Sequence, residues 1–139
     1  MSPEALQEVL KKLQERLRSS PPPNERAVYT GFIEPLLRAL GWDADDYHEV
    51  YPEYSSGRGR VDYALRIREG EEYKPIIFIE VKQPGGLDEN AETQLFAYAA
   101  HEGVPAAILT DGQTWRLYYP LTSGKPADRF VYSVDLLED

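Results

Sequence analysis

The first apolar residues of the chain recur at the spacing of an α-helix. We predict a helix over residues 2–19, with Ser2 as its cap and Pro3 in its first position. Its apolar positions are spaced by four, three and four residues and so share one face, which consists of Leu6, Leu10, Leu13 and Leu17. Two outcomes remain open for this leucine stripe. It packs on its own domain, or it pairs with a helix of another chain.

A second apolar stripe follows three consecutive prolines. Asn24 is suited to cap a helix over residues 25–40, and Gly41 is suited to end it. Pro35 lies inside this pattern, so we expect it to kink the helix or to divide it.

The remaining pattern predicts strands and one further helix. Alternation over 60–68 predicts a half-buried strand, whereas the continuous apolar run over 74–82 predicts a central one. Asp111-Gly112 favours a tight hairpin turn. The predicted strands are 48–54, 60–68, 74–82, 104–109 and 114–119, with a helix over 87–102 capped by Asp88 and a last edge strand over 130–134. This order predicts an α/β fold with a mixed sheet.

Composition limits the class of protein. The 139 residues suffice for one domain, and the absence of cysteine excludes disulfides and thiolate metal sites. We find no signal-like leader and no apolar run of about 20 residues. We therefore expect a cytoplasmic protein without a membrane partner.

The net charge of −9 bears on partners. Nucleic-acid binders normally use a basic surface to contact phosphates, so an acidic chain is a poor candidate for tight, autonomous DNA binding unless its cations cluster. A nuclease module remains compatible with this charge, because metal ions offset carboxylates within an active site.

The candidate chemistry lies between Val61 and Lys82. Glu80 and Lys82 are two apart in a predicted strand, so they project side by side while Val81 turns into the core. If the two predicted strands pair as a hairpin, Asp62 lies near Glu80. Two carboxylates, the carbonyl of Val81 and one ammonium would suit Mg²⁺ and a phosphate, with Lys82 orienting the attacking water. Solvated surface charges are the competing interpretation.

Flanking residues extend this candidate site. Gln94 and Tyr98 are four apart on a predicted helix and share a face, although Tyr98 equally suits a core aromatic. Arg58 and Arg60 lie in a glycine-containing loop before Asp62 and are candidate phosphate contacts, or members of a solvated turn.

These residues resemble the PD-(D/E)XK nuclease superfamily, most closely the amino-terminal nuclease domain of type I restriction enzyme R subunits. The resemblance covers about residues 24–119. It rests on an ordered set of segments: Asn24-Glu25, Ile33-Glu34-Pro35-Leu36-Leu37, Leu40-Gly41-Trp42-Asp43, Val61-Asp62-Tyr63-Ala64-Leu65, Ile79-Glu80-Val81-Lys82, Gln94-Leu95-Phe96-Ala97-Tyr98 and Ile108 to Trp115. Val61 replaces the proline that nominally precedes the aspartate.

The resemblance implies a restriction-endonuclease-like core, with a mixed sheet flanked by helices over 21–139 and an extra helix over 1–20. It implies a Mg²⁺-dependent DNA nuclease related to restriction or defence, with Mn²⁺ as a substitute metal. Asp62 and Glu80 would bind the metal with Glu25 nearby, and Lys82 would assist catalysis. Without the resemblance, Glu25 is equally interpretable as a first-turn acid beside the helix dipole. Gln94 and Tyr98 match the Gln-x-x-x-Tyr motif and would support Lys82 or the phosphate.

The resemblance does not extend to the helicase motor of restriction R subunits. Restriction R subunits carry a helicase phosphate loop, whereas the nearest segment here is Ser123-Gly124-Lys125-Pro126, which lacks the hydroxyl residue. We therefore expect a stand-alone nuclease domain, or one served in trans by a motor or specificity subunit. A homodimer is compatible with cutting both strands. The alternative is a catalytically weak or inactive module that keeps the fold and binds a partner or nucleic acid.

Overall fold

The computed structural model describes residues 3–121 and 130–138. Six strands form one sheet in sequence order. All neighbours are antiparallel except the third and fourth, so the sheet is mixed, as predicted. The strands are β1 Val50–Ser55, β2 Arg60–Glu69, β3 Glu72–Val81, β4 Ala106–Thr110, β5 Thr114–Tyr118 and β6 Phe130–Asp135. The expected α/β class is confirmed.

The amino-terminal helix α1, Pro3–Ser19, packs on the sheet. Leu13 and Leu17 of the predicted stripe are buried in the core, and the side-chain amide of Gln14 donates to the Leu136 carbonyl at 2.7 Å. This part of the stripe is thus covered by its own domain. The proposed cap, Ser2, lies outside the described residues.

The second predicted helix is divided into three pieces. They are α2 Glu25–Val28, a π-helical turn over Tyr29–Ile33 and α3 Glu34–Ala39. Asn24 caps α2, as predicted, by accepting from the Ala27 amide at 2.9 Å. Pro35 has no N–H to donate to the Gly31 carbonyl four residues earlier. That carbonyl instead accepts from Arg16 Nη1 of α1 at 2.6 Å, so the interruption is used to join two helices.

Two cores lie on opposite faces of the sheet. Helices α1, α2 and α3 cover one face around Leu13, Ile33, Leu65 and Ile79. Helix α4, Glu89–His101, covers the other. The buried residues beneath α4 include Val61, Ala64, Phe78, Leu95, Ala99, Ala107, Leu109 and Tyr118.

Helix α4 provides the crossover between the parallel strands β3 and β4. Asp88 caps it, as predicted, by accepting from the Ala91 amide at 2.7 Å. None of the described helices is long and apolar enough to cross a bilayer.

The first strand begins later than predicted. The strand expected over 48–54 begins only at Val50, because Asp46 holds residues 48 and 49 in a turn. The Asp46 carboxylate accepts from the His48 amide at 2.9 Å, and its carbonyl accepts from the Glu49 amide at 3.1 Å. The segment Ser123-Gly124-Lys125-Pro126 lies outside the described residues.

Truncating Leu13 tests the packing of α1. Leu13 is fully buried, so we expect Leu13→Ala to lower the free energy of unfolding by about 2–5 kcal/mol. Leu6→Ala is the matched control, since Leu6 belongs to the same stripe but is only partly buried, and it should cost clearly less. Urea denaturation measures both. If both variants lost the same small amount of unfolding free energy, the burial of Leu13 would not be what holds α1 on the core.

Candidate active site

The strands β2 and β3 part at Asp62. Their pairing extends only to Tyr63 opposite Ile79. Beyond it the Asp62 amide donates to Glu80 Oε1 at 3.2 Å, and the Val81 amide donates to Asp62 Oδ2 at 2.7 Å. Carboxylates thus take the place of backbone carbonyls in the ladder. This exchange fixes Asp62, near the start of β2, beside Glu80, near the end of β3, as predicted for a hairpin of these strands.

Tyr29 connects this pair to the helical layer. Its hydroxyl lies 2.6 Å from Glu25 Oε1 and 2.8 Å from Asp62 Oδ1, and its ring packs edge-on against Tyr63. Burial, followed by the hydrogen bonds to Glu25 and Asp62, raises the pKa of Tyr29 above its ordinary value. The hydroxyl therefore stays protonated, and it donates its single hydrogen to one of the two carboxylates at a time.

Glu80 is the strongly perturbed acid of the site. Burial, together with the adjacent Asp62, raises the pKa of Glu80 to about 8. Lys82 opposes this shift with its ammonium 3.9 Å from Glu80 Oε2. At neutral pH Glu80 therefore favours its protonated form, because the nearby ammonium does not compensate its burial and the adjacent carboxylate.

Three clefts open around these side chains. The largest, about 750 Å³, is lined by Arg58, Arg60, Glu80, Gln94 and Tyr98, among others. A second, of about 290 Å³, includes Glu25, Lys82 and Gln94 in its lining. A third, of about 240 Å³, reaches Asp62 and Tyr29 from the other side. Gln94 lines both of the first two clefts, so it borders the space in front of Glu80 and Lys82.

Tyr98 fits the core-aromatic alternative rather than a contact with Lys82. Its hydroxyl accepts from the Ser56 amide at 3.0 Å and donates to Ser56 Oγ at 2.9 Å, rather than reaching Lys82. Because its ring is buried and stacks on Phe78, Tyr98 anchors the loop that carries the two arginines. Arg58 in that loop contacts the His101 ring, and Arg60 lies 4.0 Å from a Glu53 carboxylate oxygen.

The donor set suits a hard divalent cation. Glu80, Asp62 and the Val81 carbonyl supply oxygens only, and a divalent cation would take the place of the proton that Glu80 otherwise favours. Glu25 is separated from Asp62 by the Tyr29 hydroxyl, so it joins the site through Tyr29. In the described part of the chain no three acidic or histidine side chains already converge as ligands. A metal would therefore be held first by the Asp62–Glu80 pair.

The sequence analysis missed Tyr29, Ser56 and His101. A signal existed for Tyr29, which follows Glu25 by four residues and so shares its helical face. Ser56 and His101 join the site through contacts between elements distant in sequence, which no local pattern reveals.

Comparison of the chain with protein-family models, with curated proteins and with solved structures finds no match. The chemistry assigned to this site therefore depends on its own residues and their geometry.

Replacing Gly59 tests the anchoring of the arginine loop. A Cβ at Gly59 would lie 2.7 Å from Tyr98 Cδ1, and that ring cannot retreat because it stacks on Phe78. We expect Gly59→Ala to lower the free energy of unfolding by about 1–3 kcal/mol. Gly31→Ala is the control, since nothing lies within 4 Å of its added Cβ. Equal effects in urea denaturation would contradict the close packing.

A second test uses the raised pKa of Glu80. Because the folded value of about 8 exceeds the ordinary 4.5, the folded state holds the proton more tightly. This stabilisation is complete below pH 4.5 and is lost as pH rises through about 8. In metal-free buffer, wild type should lose stability relative to Glu80→Gln between pH 5 and 9, by at most about 1.4 kcal/mol per pH unit. If the stabilities of wild type and Glu80→Gln, measured by chemical denaturation, changed with pH in parallel, the raised pKa of Glu80 would be refuted.

Proposed function

We propose that this chain is a Mg²⁺-dependent nuclease of the PD-(D/E)XK type that hydrolyses phosphodiester bonds in DNA. The observation that carries the proposal is the exchange of hydrogen bonds between Asp62 and Glu80, with Lys82 beside them. Together they make a carboxylate pair and an ammonium at one point of a central strand. The same elements, in the same order, are those that the sequence resemblance implies.

Asp62, Glu80 and the Val81 carbonyl are the residues that would hold the metal. A bound divalent cation supplies charge neutralisation at the phosphate. The adjacent ammonium of Lys82 orients the attacking water and stabilises the negative oxygen that develops on phosphorus. The water oxygen bonds to phosphorus as the bond to the leaving oxygen breaks.

The remaining residues serve binding. Gln94 borders the clefts on both sides of Glu80 and Lys82, where its amide can hold a non-bridging phosphate oxygen. Arg58 and Arg60 line the largest cleft and contact the DNA backbone. Tyr98 acts on the substrate only indirectly, by holding their loop through Ser56.

Partners follow from the charge. A chain of net charge −9 binds DNA weakly, so a motor or specificity subunit supplied in trans would deliver the substrate. A homodimer would provide two active sites for cutting both strands. The expected place of action is the cytoplasm.

One observation favours the second candidate, a nuclease-fold module with weak or absent turnover. The Tyr29 hydroxyl occupies the space between Glu25 and Asp62, where a cation would otherwise bring them together. Such a module would bind nucleic acid or a protein partner without hydrolysis.

Cleavage assays separate the two candidates. We expect the wild type to cut plasmid or linear DNA with Mg²⁺ or Mn²⁺, and Asp62→Asn or Lys82→Ala to lower the rate by about 10²-fold or more. Lys74→Ala is the matched control, because Lys74 is an exposed lysine on the same strand β3.

Cleavage that survives both substitutions would refute the proposed site. A wild type that binds Mn²⁺ by calorimetry in an Asp62-dependent way, yet leaves DNA intact, would instead support the weak-turnover module.

A further inference from the structure

Five side chains form a continuous row that begins in the turn before β1 and continues onto the face of the sheet that carries α4. Their successive separations are 4.5–5.3 Å, measured between ring centroids or from the guanidinium carbon to a ring centroid. We call this set the aromatic row, and it runs in the order Tyr47, His48, Tyr73, Arg66 and Tyr51. Its ends are accessible, with Tyr47 66% and Tyr51 37% exposed. Helix α4 packs mainly on β3 and β4, so it leaves this part of the face open.

The aromatic row connects with the proposed active site. Tyr51 meets Tyr54 at 5.8 Å, Tyr54 meets Phe78 at 5.4 Å, and Phe78 stacks on Tyr98 at 5.1 Å. Tyr98 lines the same cleft as Glu80. This chain of rings passes through the fully buried Phe78 and reaches the surface at Tyr51, so it fixes the position of the aromatic row relative to the cleft.

A local distortion of β1 brings Tyr51 and Tyr54 to the same face of the sheet. Strand alternation would put Tyr51 and Tyr54 on opposite faces. Glu53 between them has a φ of 51°, and it is the only described residue other than glycine with a positive φ. A left-handed conformation costs a residue with a side chain roughly 1–3 kcal/mol. The left-handed conformation of Glu53 brings the rings of Tyr51 and Tyr54 together.

Arg66 is the residue that points to the ligand. Its guanidinium lies between the rings of Tyr51 and Tyr73, and its Nε donates to the His48 carbonyl at 2.8 Å. Within the described residues it forms no ion pair with a carboxylate. The terminal nitrogens of this partly buried cation therefore remain for an anion, and a planar guanidinium suits a phosphate.

We propose that the aromatic row binds single-stranded DNA, with Arg66 contacting a phosphate and Tyr47 and Tyr51 stacking on bases. This inference rests on the proposed function, since it describes how the strand continues beyond the cleft. Ring faces attract unpaired bases, whereas the bases of a duplex are already stacked on each other. An acidic protein segment would satisfy Arg66 but would leave the exposed rings without a matching contact.

Fluorescence anisotropy with a labelled oligothymidylate in EDTA tests this surface without cleavage. We expect Arg66→Gln to weaken binding about tenfold and to reduce the salt slope by about 0.7. Arg18→Gln is the matched control, because Arg18 is an exposed arginine of α1 on the opposite face, and it should bind as wild type does. Tyr47→Ala should weaken binding about fivefold or more.

Three outcomes would overturn the inference. Unchanged affinity in both Arg66→Gln and Tyr47→Ala is the first, and Tyr47→Ala keeps the test valid if Arg66→Gln fails to fold. A matched duplex that binds as tightly through the same residues is the second. Competition by polyglutamate at lower concentration than by oligothymidylate is the third, since it would indicate a protein ligand.

The two proposals fail separately. DNA cleavage that depends on Lys82 but not on Arg66 would refute only the proposed DNA binding by the aromatic row. Binding of oligothymidylate that depends on Arg66, without any cleavage, would support the aromatic row and refute the nuclease.

Discussion

The site depends on a reciprocal arrangement in which each of two carboxylates accepts a backbone amide of the neighbouring strand. Asp62 accepts from Val81, and Glu80 accepts from Asp62 itself. The amides of Asp62 and Val81 thus keep acceptors although the regular pairing of β2 and β3 has ended. The arrangement carries an electrostatic cost, because the two acids are buried next to each other. That cost appears as the raised pKa of Glu80, and a divalent cation would relieve it.

The helical layer is built to bring Tyr29 to this pair. Pro35 leaves the Gly31 carbonyl without its usual helical donor, and the chain responds with a π-helical turn that begins at Tyr29. Arg16 of α1 then takes up the free carbonyl. Pro35, a residue type that elsewhere breaks helices, thus accompanies a contact between α1 and the π-helical turn. π-Helical turns of this kind are frequent at functional sites. The amino-terminal helix therefore supports the site as well as the core.

The features that depended on local spacing were predicted from the sequence. The caps at Asn24 and Asp88 and the neighbourhood of Asp62 and Glu80 follow from positions a few residues apart or from the two-residue period of strands. The contact of Tyr98 with Ser56 was not predicted, because it joins residues 42 apart in the chain. Nor was the left-handed Glu53, since glutamate carries no preference for that conformation. The aromatic row depends on contacts between residues distant in the chain and on the left-handed Glu53, so the sequence did not predict it.

The net charge looks different once the fold is known. Strand β2 and the loop before it carry four arginines within eleven residues, namely Arg58, Arg60, Arg66 and Arg68. The first two line the largest cleft, and Arg66 lies in the aromatic row. For a chain that acts on DNA, acidic surface elsewhere would repel the backbone, whereas this one strand would attract it. The acidic composition then favours a single orientation of the strand across Glu80, at the expense of overall affinity. Weak binding and a defined path would then be two consequences of one charge distribution.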